Sequence, residues 1–292
     1  MNVRLGINPL TWSNDDLPAM GADIPLERCL AEASAAGYAG VELGHKFPRR
    51  ADALAPLLAR HGLALVSGWY SLRLCERDVM LEFEAMQPHL DLLRTLGSDV
   101  MVCAEVTGCV HSERAVRLSQ RPRLEGELHQ RFADRLTSLA ERMQASGMRL
   151  AYHHHMGTVI QTEAEIDALM RDCGPVVQLL LDTGHLLYAG GDPARVAQRH
   201  AGRIAHVHCK DIRPEVLRRA HNQDASFLEA VLQGVFTVPG DGCIDFAPVL
   251  GALRRHAYGG WLVVEAEQDP AIADPVTYAG IGYRHLSSLC AS

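Results

Sequence analysis

A repeated pattern of hydrophobic and polar positions runs along most of the chain: an amphipathic segment ends at a glycine or a similar turn, and a short, nearly all-apolar run follows at once. It occurs at least five times, in LAEASAAGYAGVEL (30–43), LLARHGLALVSGWY (57–70), LLRTLGSDVMVCAE (92–105), ERMQASGMRLAYHH (141–154) and LRRHAYGGWLVVEA (253–266). Glycine favours helix C-termini because it adopts the left-handed backbone conformation without a Cβ penalty. Continuous apolar runs are typical of parallel strands buried on both faces. The pattern therefore predicts helices that alternate with parallel strands.

Three further apolar segments complete the set of strands. Adding those around VRLGIN, VQLLLD and RIAHVHCK gives eight candidate strands, ending near residues 8, 43, 69, 105, 154, 182, 209 and 266. Eight parallel strands alternating with helices close into a (β/α)₈ barrel. The alternative, an open doubly wound sheet, is disfavoured because no GxGxxG motif follows the first strand. We therefore predict an α/β fold, a TIM barrel, as a single domain over residues 1–292.

The segments between the strands contain one clear helix face and two long loops. The helix face consists of apolar residues recurring at helical spacing: Phe132, Leu136, Leu139, Ala140 and Met143. Residues 106–124 form a long loop after the fourth strand, and residues 212–240 add a partly helical insertion after the seventh. Long loops after barrel strands lie over the mouth, so we expect lids or substrate walls there. PGDGCIDF (239–246) lacks the GK[ST] of a phosphate loop and predicts a tight turn with Asp245 capping the next helix.

Composition narrows the functional classes. The hydrophobic share of 48% and the charged share of 22% are ordinary for a globular protein with a large core. The formal net charge of −7, with interspersed signs, disfavours a nucleic-acid partner, which needs a basic surface. The eight cysteines form no CxxC pair and are expected to be reduced thiols, which predicts a cytoplasmic protein. No signal-peptide pattern or run of 18 apolar residues occurs, so export and membrane insertion are not expected.

Polar side chains are concentrated where the predicted strands end, which is where catalytic groups of such barrels lie. In chain order they are Glu42, Glu105, His153, His154, His155, Asp182, His185, His206, His208, Lys210, Asp211, Glu265 and Glu267. Residues two apart on a strand share a face, so His206, His208 and Lys210 point together and His153 and His155 point away from His154.

Three of these residues, on consecutive strands, predict a metal site. Asp182, His208 and Glu265 offer two carboxylates and one imidazole, a set that suits Mn²⁺, Co²⁺, Fe²⁺ or Zn²⁺ better than Ca²⁺. A fourth ligand is expected from the fifth strand, at His153 or His155. Each residue taken singly has a structural alternative: Asp182 as a loop residue bonding backbone amides, and each histidine as a hydrogen-bonded core residue. Glu265 is the hardest to dismiss, because an unpaired buried carboxylate costs several kcal/mol.

Several stretches of the chain resemble the myo-inosose-2 dehydratase family of inositol catabolism. They are GINPLTWSNDD, AGYAGVELGHKFPR, SGWYSLRLCERD, YHHHMGTVIQT, LLLDTGHLLYAGGDP, RIAHVHCKDIR and FTVPGDGCIDF, and the match covers essentially the whole chain. The strand-end residues are also similar to those of the wider xylose isomerase-like barrel superfamily, which includes sugar isomerases, epimerases, dehydratases and repair endonucleases.

The resemblance implies a set of site residues and ligands. It implies Asp182, His208 and Glu265 as metal ligands with His153 as the fourth, a position where many relatives have Glu. It implies His185 and Lys210 as substrate contacts, and we add Glu42, Trp69 and Glu105 as candidate substrate-binding residues at strand ends. Trp69 has two interpretations, a wall beside a sugar or a closure of the core. The expected substrate is 2-keto-myo-inositol (scyllo-inosose), the expected metal Mn²⁺ or Co²⁺, and glutathione is an implied cofactor for which no binding motif is visible.

The reaction expected from this resemblance is removal of water beside a ketone. A divalent cation stabilises the enolate as a Lewis acid, a base takes the α-proton and an acid protonates the departing β-hydroxyl. Candidate bases are Glu265, His153 and His155, and candidate acids are His185, Lys210 or a remaining histidine. A ketose isomerase or epimerase shares the first step and is the main alternative, while a non-catalytic sugar sensor is an alternative of another class. A homo-oligomer is also compatible with the sequence, and a DNA-repair nuclease is disfavoured by the negative charge.

Overall fold

A closed barrel of parallel strands is the centre of the computed structural model, which describes residues 1–291. The strands in chain order are β1 (Arg4–Ile7), β2 (Gly40–Leu43), β3 (Ala64–Leu72), β4 (Val100–Glu105), β5 (Arg149–His153), β6 (Gln178–Asp182), β7 (Ile204–Cys209), β8 (Asp211–Ile212), β9 (Phe236–Thr237) and β10 (Trp261–Val264). The barrel order is β1-β10-β7-β6-β5-β4-β3-β2, and β8 and β9 pair antiparallel in a separate small sheet. The predicted eight-stranded barrel is confirmed, with β10 as its eighth strand.

Helices alternate with the barrel strands, as the sequence pattern predicted. They are α1 (Leu26–Ala36), α2 (Ala51–Arg60), α3 (Val79–Thr95), α4 (Gly126–Ala145), α5 (Glu163–Asp172), α6 (Thr183–Tyr188), α7 (Pro193–His200), α8 (Pro214–Gln223), α9 (Phe227–Leu232), α10 (Phe246–Arg255) and α11 (Pro275–Ala291). The predicted apolar face of α4 is buried along its length. Asp245 caps α10 by accepting a hydrogen bond from the Ala247 amide, also as predicted. Among residues 1–291, none of these helices is both long and apolar enough to span a bilayer.

The barrel strands are apolar on both faces because one face packs inside the barrel and the other packs against the helices. Alternate residues on β4 to β6, among them Val100, Val102, Ala151 and Leu180, meet inside the barrel. Their chain neighbours Met101, Cys103, Leu150 and Leu179 pack outward in the main core beneath the helices. This alternation explains the continuous apolar runs in the sequence. It also decides which strand-end residues face inward.

A register shift brings two strand ends together. Between β6 and β7, Leu179 pairs with Ile204 but Leu180 pairs with His206, so β7 has one extra residue there. Beyond this bulge Asp182 lies directly beside His208. Bulges re-aim side chains near active sites. Here the shift places the two side chains on the inner face of adjacent strands.

The two long segments lie where the sequence indicated. Residues 106–124 follow β4 and contain one short 3₁₀ helix, Leu118–Gln120. The insertion after β7 contains α8 and α9 between the two short strands β8 and β9. Phe227 and Phe236 of the insertion are buried against the C-terminal end of the barrel, beside His185. The insertion therefore forms one wall above the barrel.

Close packing at the N-terminal end of the barrel makes a specific prediction about stability. A Cβ at Gly40 would lie 2.7 Å from Val66 Cγ2 and 2.8 Å from Trp261 Cη2, inside the barrel. We expect Gly40→Ala to lower the free energy of unfolding by roughly 1–3 kcal/mol, because overpacking forces neighbours from their rotamers. Gly202→Ala is the matched control, since nothing lies within 4 Å of a Cβ there. Urea denaturation measures both; equal midpoints for the two variants would contradict this packing.

Candidate functional site

A cavity of about 260 Å³ opens at the C-terminal end of the barrel. Its walls come from the ends of several barrel strands and from the loops that follow them. The lining side chains include Asn8, Asn14, Asp15, Asp16, Glu42, Trp69, Ser71, His111, His153, His155, His208, Glu265 and Glu267. This is the end of the barrel where the sequence placed the candidate catalytic groups.

Four side chains bring possible metal-ligating atoms to one point in the floor of the cavity. His208 Nδ1 lies 2.6 Å from Glu265 Oε2 and 3.6 Å from Asp182 Oδ2. His153 Nε2 lies 3.7 Å from the same Asp182 oxygen. His153, Asp182 and His208 are fully enclosed by protein and form one of the groups whose geometry suits a cation. The structure thus brings together the four residues that the sequence proposed as ligands.

Two unpartnered atoms in this cluster fit a bound cation. Asp182 Oδ2 and His208 Nδ1 are buried and have no hydrogen-bond partner, although Glu265 Oε2 lies close to the latter. Buried polar atoms without a partner are costly, and a metal ion satisfies such atoms by coordination. The other oxygen of Asp182 accepts a hydrogen bond from the His185 amide, which fixes the carboxylate as the cap of α6. Oδ2 is thereby left directed at the cluster.

Local hydrogen bonds also set the orientation of the strand-5 histidines. The Nδ1–H of His153 donates to the His154 carbonyl oxygen, 2.8 Å away, which leaves the lone pair of Nε2 facing Asp182. His155 makes the equivalent bond to the Met156 carbonyl oxygen at 2.8 Å. His154 points away from the site, and its Nε2 accepts a hydrogen bond from the backbone amide of Asp182. The predicted division, with His153 and His155 toward the site and His154 away from it, agrees with these contacts.

Glu42 positions His208 by contacting Nε2, the ring nitrogen that points away from Glu265. Its carboxylate lies 3.1 Å from His208 Nε2 and 2.8 Å from His206 Nε2. Asn8 donates to Glu42 at 2.6 Å and to Glu265 at 3.1 Å. Although burial raises the pKa of Glu42, the charge of His208 and the hydrogen bonds from both histidines lower it overall. A carboxylate on the far nitrogen of a ligand histidine fixes its ring and tautomer.

Lys210 is a buried ammonium group at the edge of the cluster. Its Nζ donates to Glu265 Oε1 and Glu267 Oε2, both at 2.7 Å, and lies 2.8 Å from His185 Nε2. Burial lowers the pKa of Lys210, but the surrounding carboxylates, Asp182 first, raise it overall. Gly184 permits this placement, since a Cβ there would lie 2.5 Å from Lys210 Cγ. The lysine is therefore held charged among carboxylates.

The remaining titratable groups have pKa values shifted mainly by burial. Burial, followed by repulsion from Glu265, raises the pKa of Glu267 to about 7 despite the nearby Lys210. Burial lowers the pKa of His155 and of His185 well below the usual value, so both rings are neutral. Their ring centroids are 4.0 Å apart, and Phe227 of the insertion stacks on His185. Among these groups, Glu267 has the pKa that suits exchange of a proton near neutral pH.

Trp69 forms a flat wall of the cavity. Its ring lies 5.5 Å from the ring of His153 and 5.4 Å from that of His155, and its indole N–H donates to Ser71. Of the two interpretations left open by the sequence, the wall beside a ligand agrees with this position, because Trp69 lines the cavity. Tyr70, its neighbour, is part of the outer core.

Glu105 lies outside the cavity, contrary to its expected role as a substrate contact. Its two oxygens accept hydrogen bonds from the backbone amides of Leu74 (2.7 Å) and Thr107 (3.0 Å). On β4 the inward residues are Val100 and Val102, so Glu105 falls on the outer face. Its carboxylate holds two loop backbones together rather than facing a ligand.

Several lining residues were not among the sequence candidates. Asn8, Asp16, Ser71 and His111 all line the cavity, although no role was assigned to them. Glu267 was noticed at a strand end but given no role. For His111, the only signal was its place in the loop expected to lie over the mouth; loop sequences have no periodicity that fixes where a side chain points.

The chain is similar to known proteins along its whole length. The family described as xylose isomerase-like TIM barrel matches residues 30–289. The rhizopine catabolism protein MocC of Rhizobium meliloti is 52% identical over 100% of this chain and 90% of that protein. An inosose dehydratase of Geobacillus thermodenitrificans is 43% identical over 99% of this chain and 97% of that one.

The same fold occurs in solved structures. One is the IolI protein with a bound zinc atom, which superposes with a TM-score of 0.68 over 98% of both chains. Its sequence identity to this chain is 18%, so this likeness concerns the architecture alone.

The contacts of Glu42 predict an effect on metal binding. We expect Glu42→Gln to weaken Mn²⁺ binding roughly 10- to 100-fold, because the amide no longer holds the His208 ring by charge. Glu105→Gln is the matched control, another buried strand-end carboxylate whose contacts are with backbone amides. It should lower stability and leave metal affinity unchanged. Calorimetric titration of each apoprotein with Mn²⁺ measures the affinities; equal losses in both variants would refute the positioning role of Glu42.

Proposed function

The chain belongs to the xylose isomerase-like TIM barrel family, and from this premise we propose that it is a dehydratase of inositol catabolism that removes water from 2-keto-myo-inositol (scyllo-inosose). The product is a trihydroxycyclohexane-dione. One observation carries the proposal: the donor cluster lies at the floor of a cavity of about 260 Å³ in a chain that matches an inosose dehydratase over 99% of its length. A hydro-lyase reaction on a small polyol ketone fits both facts.

We propose His153, Asp182, His208 and Glu265 as the ligands of a divalent metal, Mn²⁺ or Co²⁺. The unpartnered Asp182 Oδ2 and His208 Nδ1 support this assignment, as does the lone pair that His153 directs at them. Two carboxylate and two imidazole donors suit these ions. When bound, the cation would supply Lewis-acid stabilisation of the negative charge that develops at the substrate carbonyl.

The residues around the cluster support proton transfer and orientation. His153 and Glu265 are both assigned as ligands, and His153 faces Asp182. This favours His155 as the base for the α-proton over the other two candidates, Glu265 and His153. His155 lines the cavity as a neutral imidazole with a lone pair on Nε2, since its Nδ1–H donates to a backbone carbonyl. His185 and Lys210 were expected to contact substrate, but both are fully buried behind the residues that line the cavity. We assign them to stabilising charge and holding the metal-binding carboxylates, with Glu267 keeping the ammonium in place. Trp69 supports the face of the substrate ring.

The name of the relative at 52% identity favours a second candidate substrate. That protein is named for rhizopine catabolism, whereas the relatives at 40–43% are named inosose dehydratase. In this second candidate, the same site acts on a compound of rhizopine catabolism. Rhizopine added as a competitor to the inosose assay distinguishes the two, because a site built for it would be inhibited at low concentration.

The direct test is turnover by the purified protein. With Mn²⁺ or Co²⁺ present, we expect scyllo-inosose to give the ultraviolet absorbance of a conjugated dione enol, and chelation of the metal to abolish it. Epimerisation creates no such chromophore, so formation of an isomeric inosose without this absorbance would favour the isomerase or epimerase alternative. Stoichiometric binding without turnover would favour a sensor. A parallel reaction with added glutathione tests whether that implied cofactor is required.

Removal of one ligand tests the metal assignment. We expect Asp182→Ala to lose bound metal and to reduce turnover roughly 1,000-fold or more, because several kcal/mol of charge stabilisation disappears with the cation. Asp91→Ala is the control, a surface carboxylate on α3 paired with Arg94. Elemental analysis and the absorbance assay are run on both variants. Full activity in a metal-free Asp182→Ala protein would overturn the mechanism.

A further inference from the structure

Two loops bring an imidazole and a carboxylate to the wall of the cavity, outside the group of metal donors. His111 belongs to the loop after β4, and Asp16 to the segment after β1. Both line the cavity, and His111 Nε2 lies 3.8 Å from Asp16 Oδ1. Neither residue is on a barrel strand, and neither contributes to the donor cluster. We call them the loop dyad.

The backbone on both sides of the loop dyad is fixed. Val110 donates its amide hydrogen to the Gly157 carbonyl oxygen at 2.9 Å. A Cβ at Gly157 would lie 2.9 Å from the backbone nitrogen of His111. Gly157 has φ +79°, so the crossing of these two loops requires glycine. On the other loop, Asn14 Oδ1 accepts hydrogen bonds from the backbone amides of Asp16 and Leu17, both at 2.9 Å. The dyad is therefore preorganised before any ligand arrives.

The position of the His111 ring suits contact with the far side of a bound substrate. Its ring lies 5.2 Å from that of His155 and 6.3 Å from that of Trp69. Trp69 also contacts His153, so the indole borders both the His111 ring and a proposed metal ligand. A six-membered ring resting on Trp69 with its carbonyl toward the donors directs its more distant carbons at His111.

The loop dyad joins two groups that can carry a proton, and one of its ring atoms has no hydrogen-bond partner. His111 Nδ1 is buried and makes no hydrogen bond to protein. Burial lowers the pKa of His111, and burial raises the pKa of Asp16, because each loses hydration of its charged form. Imidazole with carboxylic acid and imidazolium with carboxylate contain the same number of protons. When the pair holds a proton, either the His111 ring or the Asp16 carboxyl group, 3.8 Å apart, can carry it.

We propose that His111, supported by Asp16, is the general acid that protonates the departing hydroxyl group. This inference rests on the proposed dehydratase function and adds a catalytic residue to it. The base takes the α-proton, and the electrons of that C–H bond form the enolate. As the enolate re-forms the carbonyl, the β C–O bond breaks with its electron pair on oxygen, which takes the His111 proton and leaves as water. His111 regains a proton from solvent, and the base releases the α-proton to solvent.

A leaving-group test separates this role from a structural one. We expect His111→Gln to lower dehydration of scyllo-inosose by roughly 10²- to 10⁴-fold, the range for loss of a general acid. Exchange of the α-proton with deuterated solvent should continue, because the base is intact. An analogue with fluoride in place of the departing hydroxyl should be eliminated at close to the wild-type rate, since fluoride leaves without protonation. Metal content should be unchanged.

The matched control is His129→Gln, the same substitution in a histidine–aspartate pair on the outer helices, where His129 Nε2 lies 3.1 Å from Asp172. It should leave all four readouts at wild-type values. Equal loss of exchange and dehydration in His111→Gln, a raised KM with unchanged kcat, or no rescue by fluoride would each overturn the assignment. Failure of wild-type protein to form any dione would instead refute the dehydratase proposal on which it depends.

Discussion

Neutralisation of carboxylates that have almost no access to water is the constraint on which the rest of the site depends. Four of them are buried at one end of the barrel: Glu42, Asp182, Glu265 and Glu267. Each would cost several kcal/mol if left uncompensated. Lys210 contacts two of them and histidines contact others, yet one oxygen of Asp182 stays without a hydrogen-bond partner. A divalent cation would complete this balance, so the energetics of burial support the proposed metal assignment.

The barrel makes such a concentration of charge possible because each strand is held in place by packing on both of its faces. Outward apolar residues anchor the strand to the helices, and the inward residue at its end is held at a fixed height. The one-residue bulge in β7 shows how precise this must be, since it aligns His208 with Asp182. Gly184 makes a similar contribution by leaving room for the Lys210 stem. Small backbone features therefore determine which donors meet.

Most of the fold and the floor of the site could be predicted from the sequence, for physical reasons. Apolar runs after glycine turns identify buried parallel strands, and parallel strands in a barrel end at one rim, so Asp182, His208 and Glu265 had to lie close together. Glu105 was misplaced because alternation was applied to the histidines of β5 and β7 but not to β4; Val102 inside the barrel puts Glu105 outside. His111 could not be found, since its position depends on a loop crossing that no periodic pattern records.

The division between strands and loops also bears on how one fold supports different reactions. Dehydration and epimerisation begin alike, with a proton removed beside a polarised carbonyl, and strand-end donors suffice for that step. The outcomes differ in what happens next: an epimerase returns the proton to the other face, whereas a dehydratase must protonate a leaving hydroxyl. A group that does so must reach the carbon one bond farther from the carbonyl. In our proposal the loops after β1 and β4 supply that group, so the loops rather than the strands would decide the fate of the enolate.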